Sequence, residues 1–291
     1  MVLAFDKLEG LGNDFVVVDA REVPALDPAL ARALCDRHRG IGADGVLAVD
    51  TLACAMRVIN ADGSRPEMCG NGIRCVMLWL ARRGIVAVGD TIEIATDAGP
   101  HACTLLASDD RDASVRVAMR PYALGDATEL VVDVDAGHHI RGTAVSMGNP
   151  HLVVFDAALQ RAPEVAAELE RHALFPDRVN VGLAEQTGPS DLTLRVFERG
   201  VGYTEACGTG ACAAAAAAVE TGRMPRGVPI AVRLPGGSLE VVVGERGAPV
   251  LMTGPARYVF TGSAVTTCAS TRTRFTATTR RTSPRSATSS G

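Results

Sequence analysis

The sequence predicts an α/β protein of two similar halves, each built from short strands and one buried helix. Three observations lead there. Residues 57–72 recur as residues 195–210: without a gap the copies share Arg-Val, a glutamate two positions before a cysteine (Glu67, Glu205), and Cys-Gly-x-Gly. The offset is 207 − 69 = 138 residues. A second echo lies upstream, where Gly12-Asn13-Asp14-Phe15 and Gly148-Asn149-Pro150-His151 each lead into a valine-rich run, with Asn13 and Asn149 standing 56 and 58 residues before their cysteines. Finally, each Cys-Gly-x-Gly opens a stretch that is apolar nearly all round, the pattern of a central, buried helix. Half a chain, repeated, is the simplest account.

Residues 3–7 alternate like a strand, and Gly10-Leu11-Gly12-Asn13-Asp14 is a turn feeding a second strand over 15–19. Read alone, Asn13 is equally a plain turn residue. Residues 28–39 have helical spacing (Leu30, Ala33, Leu34, His38) and stop at Gly40, which puts His38 in a last turn where a cation suits the helix dipole. Strands follow over 46–49 and 53–60. After Cys69-Gly70-Asn71-Gly72, residues Ile73, Val76, Met77, Leu80 and Ala81 line one helix face, Leu78 and Trp79 extend it round the back, and Gly84 ends it. Strands at 91–95, 102–107 and 114–119 complete the first half, and residues 121–126 are the crossing. The second half repeats the plan: strands at 129–134, 143–149 and 152–155, a helix over 162–172, a strand at 192–197, and a buried helix over 206–220. Alanine from 213 to 218 implies close packing against a sheet. Strands at 231–234, 239–243, 250–253 and 258–260 follow.

The chain of 291 residues holds two cores of ordinary domain size, and 47% hydrophobic with 21% charged residues is an ordinary globular composition. No apolar run approaches the ~18 residues of a membrane span, and the N-terminus has no basic region and cleavage site; a cytoplasmic protein without membrane contact is expected. Residues 263–291 are Ser, Thr and Arg with five arginines and no acid, and are expected to be disordered. They leave 29 − 5 = 24 basic against 33 acidic residues, so a body near −9 carries a tail of +5. A functionless extension or an altered reading frame is favoured over a nucleic-acid contact.

Eight cysteines in a large chain with no CxxC do not form a disulfide framework. Cys35, Cys54, Cys75, Cys103 and Cys212 read as small buried hydrophobes. Cys69 with Cys75, or Cys207 with Cys212, lack the close pairing and histidines of zinc sites, so no metal is expected. Every basic residue except Lys7 is arginine, which weighs against a pyridoxal phosphate Schiff base; no cofactor is expected.

If the halves pack about an approximate two-fold axis, both helix N-termini point into one cleft. Each delivers a cysteine, Cys69 or Cys207, and free backbone N–H groups that suit a carboxylate. The glycines are expected to allow close approach and unusual backbone angles, and the positive dipole ends to lower a thiol from ~8.5 toward neutrality. A carboxylate held between a thiolate and a thiol is set up for inversion: one sulfur removes the α-proton and the other returns a proton to the opposite face.

These motifs, Gly10-Leu11-Gly12-Asn13-Asp14-Phe15, Asn60-Ala61-Asp62-Gly63-Ser64, Met68-Cys69-Gly70-Asn71-Gly72-Ile73-Arg74-Cys75, Gly148-Asn149-Pro150-His151, Glu198-Arg199-Gly200 and Ala206-Cys207-Gly208-Thr209-Gly210-Ala211-Cys212, closely resemble the diaminopimelate epimerase family, in order over about residues 3 to 262. The resemblance implies two pseudo-symmetric α/β domains, each a mostly antiparallel sheet wrapped around a central helix, with the active site in the cleft. It divides the chain into 1–122 and 123–255, with a C-terminal strand near 256–262 returning to the first half. It implies a homodimer that converts LL- to meso-diaminopimelate. Cys69 would be the proton donor and Cys207 the acceptor in one direction, with His151 and Glu198 tuning the thiols. Asn13, Asn60, Asn149, Asn180, Glu198 and Arg199 would hold the substrate, and Gly70, Asn71, Gly208 and Thr209 would cradle its reacting carboxylate. Phe260 stands where the family tends to place a dimer-interface tyrosine. Glu9, Gly45 and Tyr203 depart from the family, which often has histidine, glutamine and glutamate there.

Three alternatives remain, one of them a binding protein of this fold without catalysis. A related proline or hydroxyproline racemase shares the two-thiol logic but needs no second carboxylate clamp. A thiol redox protein would use Cys69 and Cys207 as a switchable disulfide.

Overall fold

The computed structural model describes residues 2–23, 26–125, 129–134, 138–156, 158 and 164–265. The chain opens with β1 (Val2–Gly10) and β2 (Asn13–Asp19), an antiparallel hairpin with Gly10 opposite Asn13. Its connection, Leu11-Gly12, has φ of 58° and 81°. A two-residue hairpin turn of this hand needs both central residues left-handed, which is the reason for glycine at 12 and the device that sets Asn13 at the start of β2.

Helix α1 (Pro28–Cys35) is shorter than its spacing predicts. Asp36 leaves the helix at ψ 117°, and its carboxylate accepts from the backbone N–H of His38 and Arg39, both at 2.8 Å. That local bonding competes with the next helical turn, so His38 sits exposed in a turn and caps no dipole. Next come β3 (Gly45–Asp50), β4 (Ala55–Asn60), the central helix α2 (Gly70–Ala81), and β5 (Thr91–Thr96), β6 (Gly99–Ser108) and β7 (Asp112–Ala118).

The second half contains β8 (Ala123–Leu124), β9 (Leu130–Val134), β10 (His138–Ser146), β11 (Pro150–Phe155), α3 (Glu164–Glu170), β12 (Asn180–Gly188), β13 (Asp191–Glu198) and β14 (Gly202–Tyr203). The central helix α4 (Gly208–Glu220), β15 (Pro229–Leu234), β16 (Gly237–Val242) and β17 (Leu251–Val265) complete it. The predicted helix over 162–172 is shorter at its end, where Arg171 and His172 bond to the third residue back and tighten the last turn; its start lies outside the described residues. The spacing gives no warning of β12, whose apolar run is interrupted by Gly182. A Cβ there would lie 3.3 Å from Leu194 of the neighbouring strand, so glycine serves close strand approach.

Strand pairing shows the two wraps. β1, β2, β3, β4, β5, β6, β7 and β17 pair in succession, and β17 pairs back onto β1, closing a ring around α2. Mostly antiparallel strands from β8 and β10 through β11, β12, β13, β15 and β16 to the start of β17 curl around α4. β17 is one strand where the sequence predicts two. It also continues to Val265, past the expected tail boundary at 263, because Ala264 is buried opposite Leu3 of β1. Residues 266–291, where the tail was expected to be disordered, lie outside the described residues.

Both central helices are buried. Every residue from Gly70 to Leu80 is buried in α2, and Ala213 to Ala218 in α4 have no exposed surface. Six alanines let the strands come close on all sides, and one larger side chain there would cost ~1–3 kcal/mol of overpacking.

Candidate active site

The two central helices meet end to end. Cys69 is the N-cap of α2 and Cys207 the N-cap of α4, both with extended backbone, and the first helical bonds run from Ile73 N to Cys69 O and from Ala211 N to Cys207 O, each 2.9 Å. Each sulfur accepts from the third N–H of its own helix: Gly72 N at 3.4 Å and Gly210 N at 3.3 Å. Asn71 Nδ2 donates to Ala206 O across the junction at 3.0 Å.

Steric room explains the Cys-Gly-x-Gly pattern. A Cβ at Gly70 would lie 3.6 Å from Gly208 Cα, and one at Gly208 would lie 3.5 Å from Gly70 Cα, with the Met252 side chain at 3.2 and 3.1 Å respectively. The first glycine of each motif therefore lets the helix ends touch. The second packs under a strand: a Cβ at Gly72 would meet Leu47 at 3.0 Å, and one at Gly210 would meet Val196 at 2.9 Å. None of the four has positive φ. The expectation of unusual backbone angles is corrected; what the site needs is absence of a side chain.

A cavity of about 870 Å³ opens at this junction, lined by both cysteines together with Asn13, Gly70, Asn71, Asn149, Glu198, Arg199, Gly208 and Thr209. Asn13 reaches it from the β1–β2 turn, and its Oδ1 is buried without a hydrogen-bond partner. A buried acceptor without a partner is rare, and this one belongs to a residue of the cavity wall. Asn149 sits in the β10–β11 turn beside Gly148, whose φ is 97°. The first four N–H groups of each helix have no intrahelical acceptor, and Gly70, Asn71, Gly208 and Thr209, which carry such groups, all line the cavity, an arrangement suited to an anion.

Three sequence-predicted residues do not line the cavity: Asn60, His151 and Asn180. Asn60 donates to Ser64 Oγ at 2.9 Å and closes its own turn. Asn180 donates to Pro150 O at 2.9 Å and accepts from Arg199 N at 3.0 Å, so it fixes the backbone that carries Arg199. His151 is buried, with Nε2 3.1 Å from Asn149 Oδ1. Burial lowers its pKa to about 3, the Arg199 charge adding to this, so the ring is neutral and Nε2 carries the donated hydrogen. Asn149 Nδ2 passes to Thr209 Oγ1 at 3.4 Å, and that hydroxyl is 3.5 Å from Cys207 Sγ. His151 reaches the thiol only through this relay.

Burial pushes both thiols above their ordinary value, Cys207 furthest; the Glu198 charge adds to the rise, and the N–H groups of Gly72 and Gly210 only partly oppose it. The expectation that the helix ends alone bring a thiol toward neutrality is therefore corrected: for sulfurs this deeply buried, lost hydration outweighs the dipole. Burial likewise raises Glu198, opposed by Thr204 Oγ1, which donates to it at 2.6 Å, and by Cys207. Each group holds its proton more tightly than in water, and an arriving ammonium would favour the charged forms.

Sequence reasoning missed several cavity residues. His101, Arg120 and Asp177 line it from loops and strand ends outside both motif copies, and Arg65 lines it from within the first copy, four residues before Cys69. Arg199 is exposed, lines the cavity and uses Nη1 to donate to Asp177 O at 2.9 Å.

The three departures have local reasons. A Cβ at Gly45 would lie 2.9 Å from Ile59 O, Glu9 accepts from Gly12 N at 3.0 Å in its turn, and Tyr203 packs edge-on to Phe197 at 5.2 Å. Lys7 is buried outside the cavity, paired to Asp14 at 2.5 Å. Phe260 is half-buried, edge-on to Phe5 of its own chain at 5.9 Å. Among the described residues, no cluster of three or more His, Cys, Asp or Glu has metal-binding geometry, and no helix is long and apolar enough to cross a membrane.

The diaminopimelate epimerase family profile matches residues 5–125 and 143–259. The chain is 48% identical over 277 residues to a diaminopimelate epimerase of Desulforudis audaxviator, covering 89% of this chain and 98% of that one. It is 44% identical over 285 residues to the Synechocystis diaminopimelate epimerase, covering 91% and 99%. Among solved structures, a hydroxyproline epimerase from Agrobacterium vitis shares the fold with a TM-score of 0.68 at 17% identity, covering 90% of this chain and 92% of that one. A methylitaconate-delta-isomerase does so at 0.63 and 14%, covering 93% and 99%. On the matched profile and on these identities over nearly the whole chain, the protein belongs to the diaminopimelate epimerase family.

Proposed function

We propose that this chain interconverts LL- and meso-2,6-diaminopimelate in lysine and peptidoglycan-precursor synthesis, as a cytoplasmic homodimer, by moving the α-proton between Cys69 and Cys207. The observation that carries this reading is the pair of abutting helix N-termini, each capped by a cysteine that lines the same cavity. The substrate's reacting carboxylate lies in the cradle of Gly70, Asn71, Gly208 and Thr209 N–H groups. Its α-ammonium is held by Glu198 and by the open Oδ1 of Asn13.

With the ammonium in place, one thiol releases its proton to solvent and is left as a thiolate, which then takes the α-hydrogen as a proton and becomes S–H again. The electron pair left on the α-carbon spreads into the carboxylate, which the N–H donors and both helix dipoles stabilise. The opposite thiol gives its proton to the other face and becomes the thiolate. Configuration inverts, and the two sulfurs have exchanged roles; in one direction Cys69 is the donor and Cys207 the acceptor, in the other the reverse. The distal amino-acid end meets Arg199, whose fork suits a carboxylate bidentately, and whose backbone Asn180 holds. Asn60, one turn away from Arg65, is assigned to the same end. His151 acts on Cys207 through Asn149 and Thr209.

The purified chain is expected to convert LL-diaminopimelate to the meso isomer with α-hydrogen exchange from solvent and to leave proline untouched. Proline racemisation with no diaminopimelate activity would falsify the assignment and favour the racemase alternative. Reduction of a disulfide substrate in place of epimerisation would favour the redox one.

A further inference from the structure

The side chain of Arg74 has no exposed surface, yet its three bonded acceptors are all neutral: Pro255 O from Nε at 2.9 Å, Gly70 O from Nη1 at 3.0 Å, and Asn71 Oδ1 from Nη2 at 3.0 Å. No carboxylate forms an ion pair with it among the described residues. A buried charge without a counter-charge is costly, and its place in the opening turns of α2, at the positive end of the dipole, adds to the cost. The surroundings nevertheless make room for it. A Cβ at Gly10 would lie 3.2 Å from Nη2, and one at Gly254 would lie 3.1 Å from Nε.

Two relations tie this guanidinium to the sulfurs. Asn71, which it holds by Oδ1, spends its Nδ2 on Ala206 O at 3.0 Å, the peptide directly before Cys207. The repeat offset pairs Arg74 with Cys212 (74 + 138 = 212) and Asn60 with Glu198 (60 + 138 = 198). The first half thus carries a cation where the second has a thiol, and the second carries a carboxylate where the first has an amide.

We propose that Arg74 is a positioning residue with two effects: through Asn71 it sets the register of Cys207 against Cys69, and it places a buried positive charge behind Cys69. This rests on the two-thiol reading above. It makes the two sulfurs inequivalent before any substrate arrives. Glu198 opposes ionisation of both sulfurs and is bonded to Cys207, whereas Arg74, bonded to the Gly70 carbonyl that follows Cys69, adds a smaller opposite bias at Cys69 alone. The other groups facing Cys69 are Glu198 and the opposing Cys207, and Arg74 itself lies among Cys75, Cys212 and Glu9.

The test uses the full chain with Arg74→Met and Arg74→Lys. Iodoacetamide labelling across pH, read peptide by peptide by mass spectrometry, gives a midpoint for each cysteine; epimerase kinetics in both directions and thermal melts accompany it. Arg74→Met is expected to raise the Cys69 midpoint by about half a unit, a roughly threefold loss of thiolate, with the Cys207 midpoint moving less. It should also lower kcat at least about tenfold with KM changed less than about threefold. Arg74→Lys should restore the Cys69 midpoint while kcat stays below wild type, since an ammonium cannot make the forked contacts. An unchanged Cys69 midpoint in folded Arg74→Met overturns the proposal and leaves only a packing role. Should neither variant fold, Gly10→Ala crowds Nη2 while keeping the charge; it should lower kcat at an unchanged Cys69 midpoint, and wild-type kcat overturns the register claim. Labelling midpoints are read without turnover, so an Arg74 failure is distinguishable from wild-type protein that does not epimerise at all.

Discussion

Gly208→Ala tests the contact between the helix ends. The new Cβ would stand 3.1 Å from Met252 Sδ and 3.5 Å from both Met252 Cε and Gly70 Cα. Carbon contacts prefer ~3.5–4.0 Å, so something must move by roughly 0.5 Å. Met252 is flexible in principle, but it has no exposed surface and its Cε is already within 3.2 Å of where a Gly70 Cβ would be. The relief therefore falls partly on the helices, which separate. Overpacking costs ~1–3 kcal/mol, offset in part by the better helix propensity of alanine, up to ~1 kcal/mol, so the melting temperature should drop by only a few degrees. Catalysis is less forgiving: ~1 Å of misplacement costs ~10²-fold, so roughly 0.5 Å should cost ~10-fold in kcat. The control is Gly84→Ala, where a Cβ meets nothing within 4 Å but φ is 69°. It should lose ~1–2 kcal/mol of stability with kcat unchanged. Met252→Ala added to Gly208→Ala should recover part of kcat. Wild-type kcat in folded Gly208→Ala would refute the claim that the glycine pair sets the spacing of the sulfurs.

Replacing Cys69 or Cys207 by serine should abolish turnover while substrate binding remains measurable by calorimetry; unchanged turnover in both variants removes the assigned roles. Asn180→Ala deletes one hydrogen bond to Pro150 O and one from Arg199 N, each worth ~1 kcal/mol, and should raise KM roughly tenfold with a smaller change in kcat; an equal fall in kcat alone would place Asn180 with the chemistry. His151 is neutral in the folded protein, with its pKa lowered from 6.5 to about 3 by burial. Below pH 6.5 the unfolded chain takes up a proton that the folded chain refuses, so stability falls with decreasing pH by up to ~1.4 kcal/mol per unit until the folded value is reached. Denaturant titrations of His151→Gln should show a shallower acid slope by about one proton; an identical slope would mean that His151 is not held neutral.

The repeat made the site's centre readable. Both cysteines and the first glycine of each motif lie on one cavity because duplicated local chemistry, a capping side chain followed by Gly-x-Gly, folds the same way twice. The buried helices were legible for a similar reason, since a stretch apolar on every face has only the interior to occupy. What escaped depended on partners distant in sequence. Arg120 and His101 enter the wall from strands whose own pattern says nothing of a cavity. β12 was hidden by Gly182, which exists to let Leu194 approach. The thiols' direction of shift was misjudged because a motif displays its dipole and N–H donors, whereas the loss of hydration comes from the whole fold closing over it. Arg74 reads in sequence as an ordinary helix residue; only the structure puts it fully inside beside neutral acceptors.

The most direct measurement of two sulfurs acting on opposite faces of one carbon is a single turnover of LL-diaminopimelate in deuterated solvent, with the labelled positions read by mass spectrometry and NMR. The account predicts that the meso product carries deuterium at the inverted carbon while unreacted LL-substrate keeps its hydrogen. Meso product that retains the substrate's own hydrogen at that carbon would mean one group serving both faces, and would contradict the account.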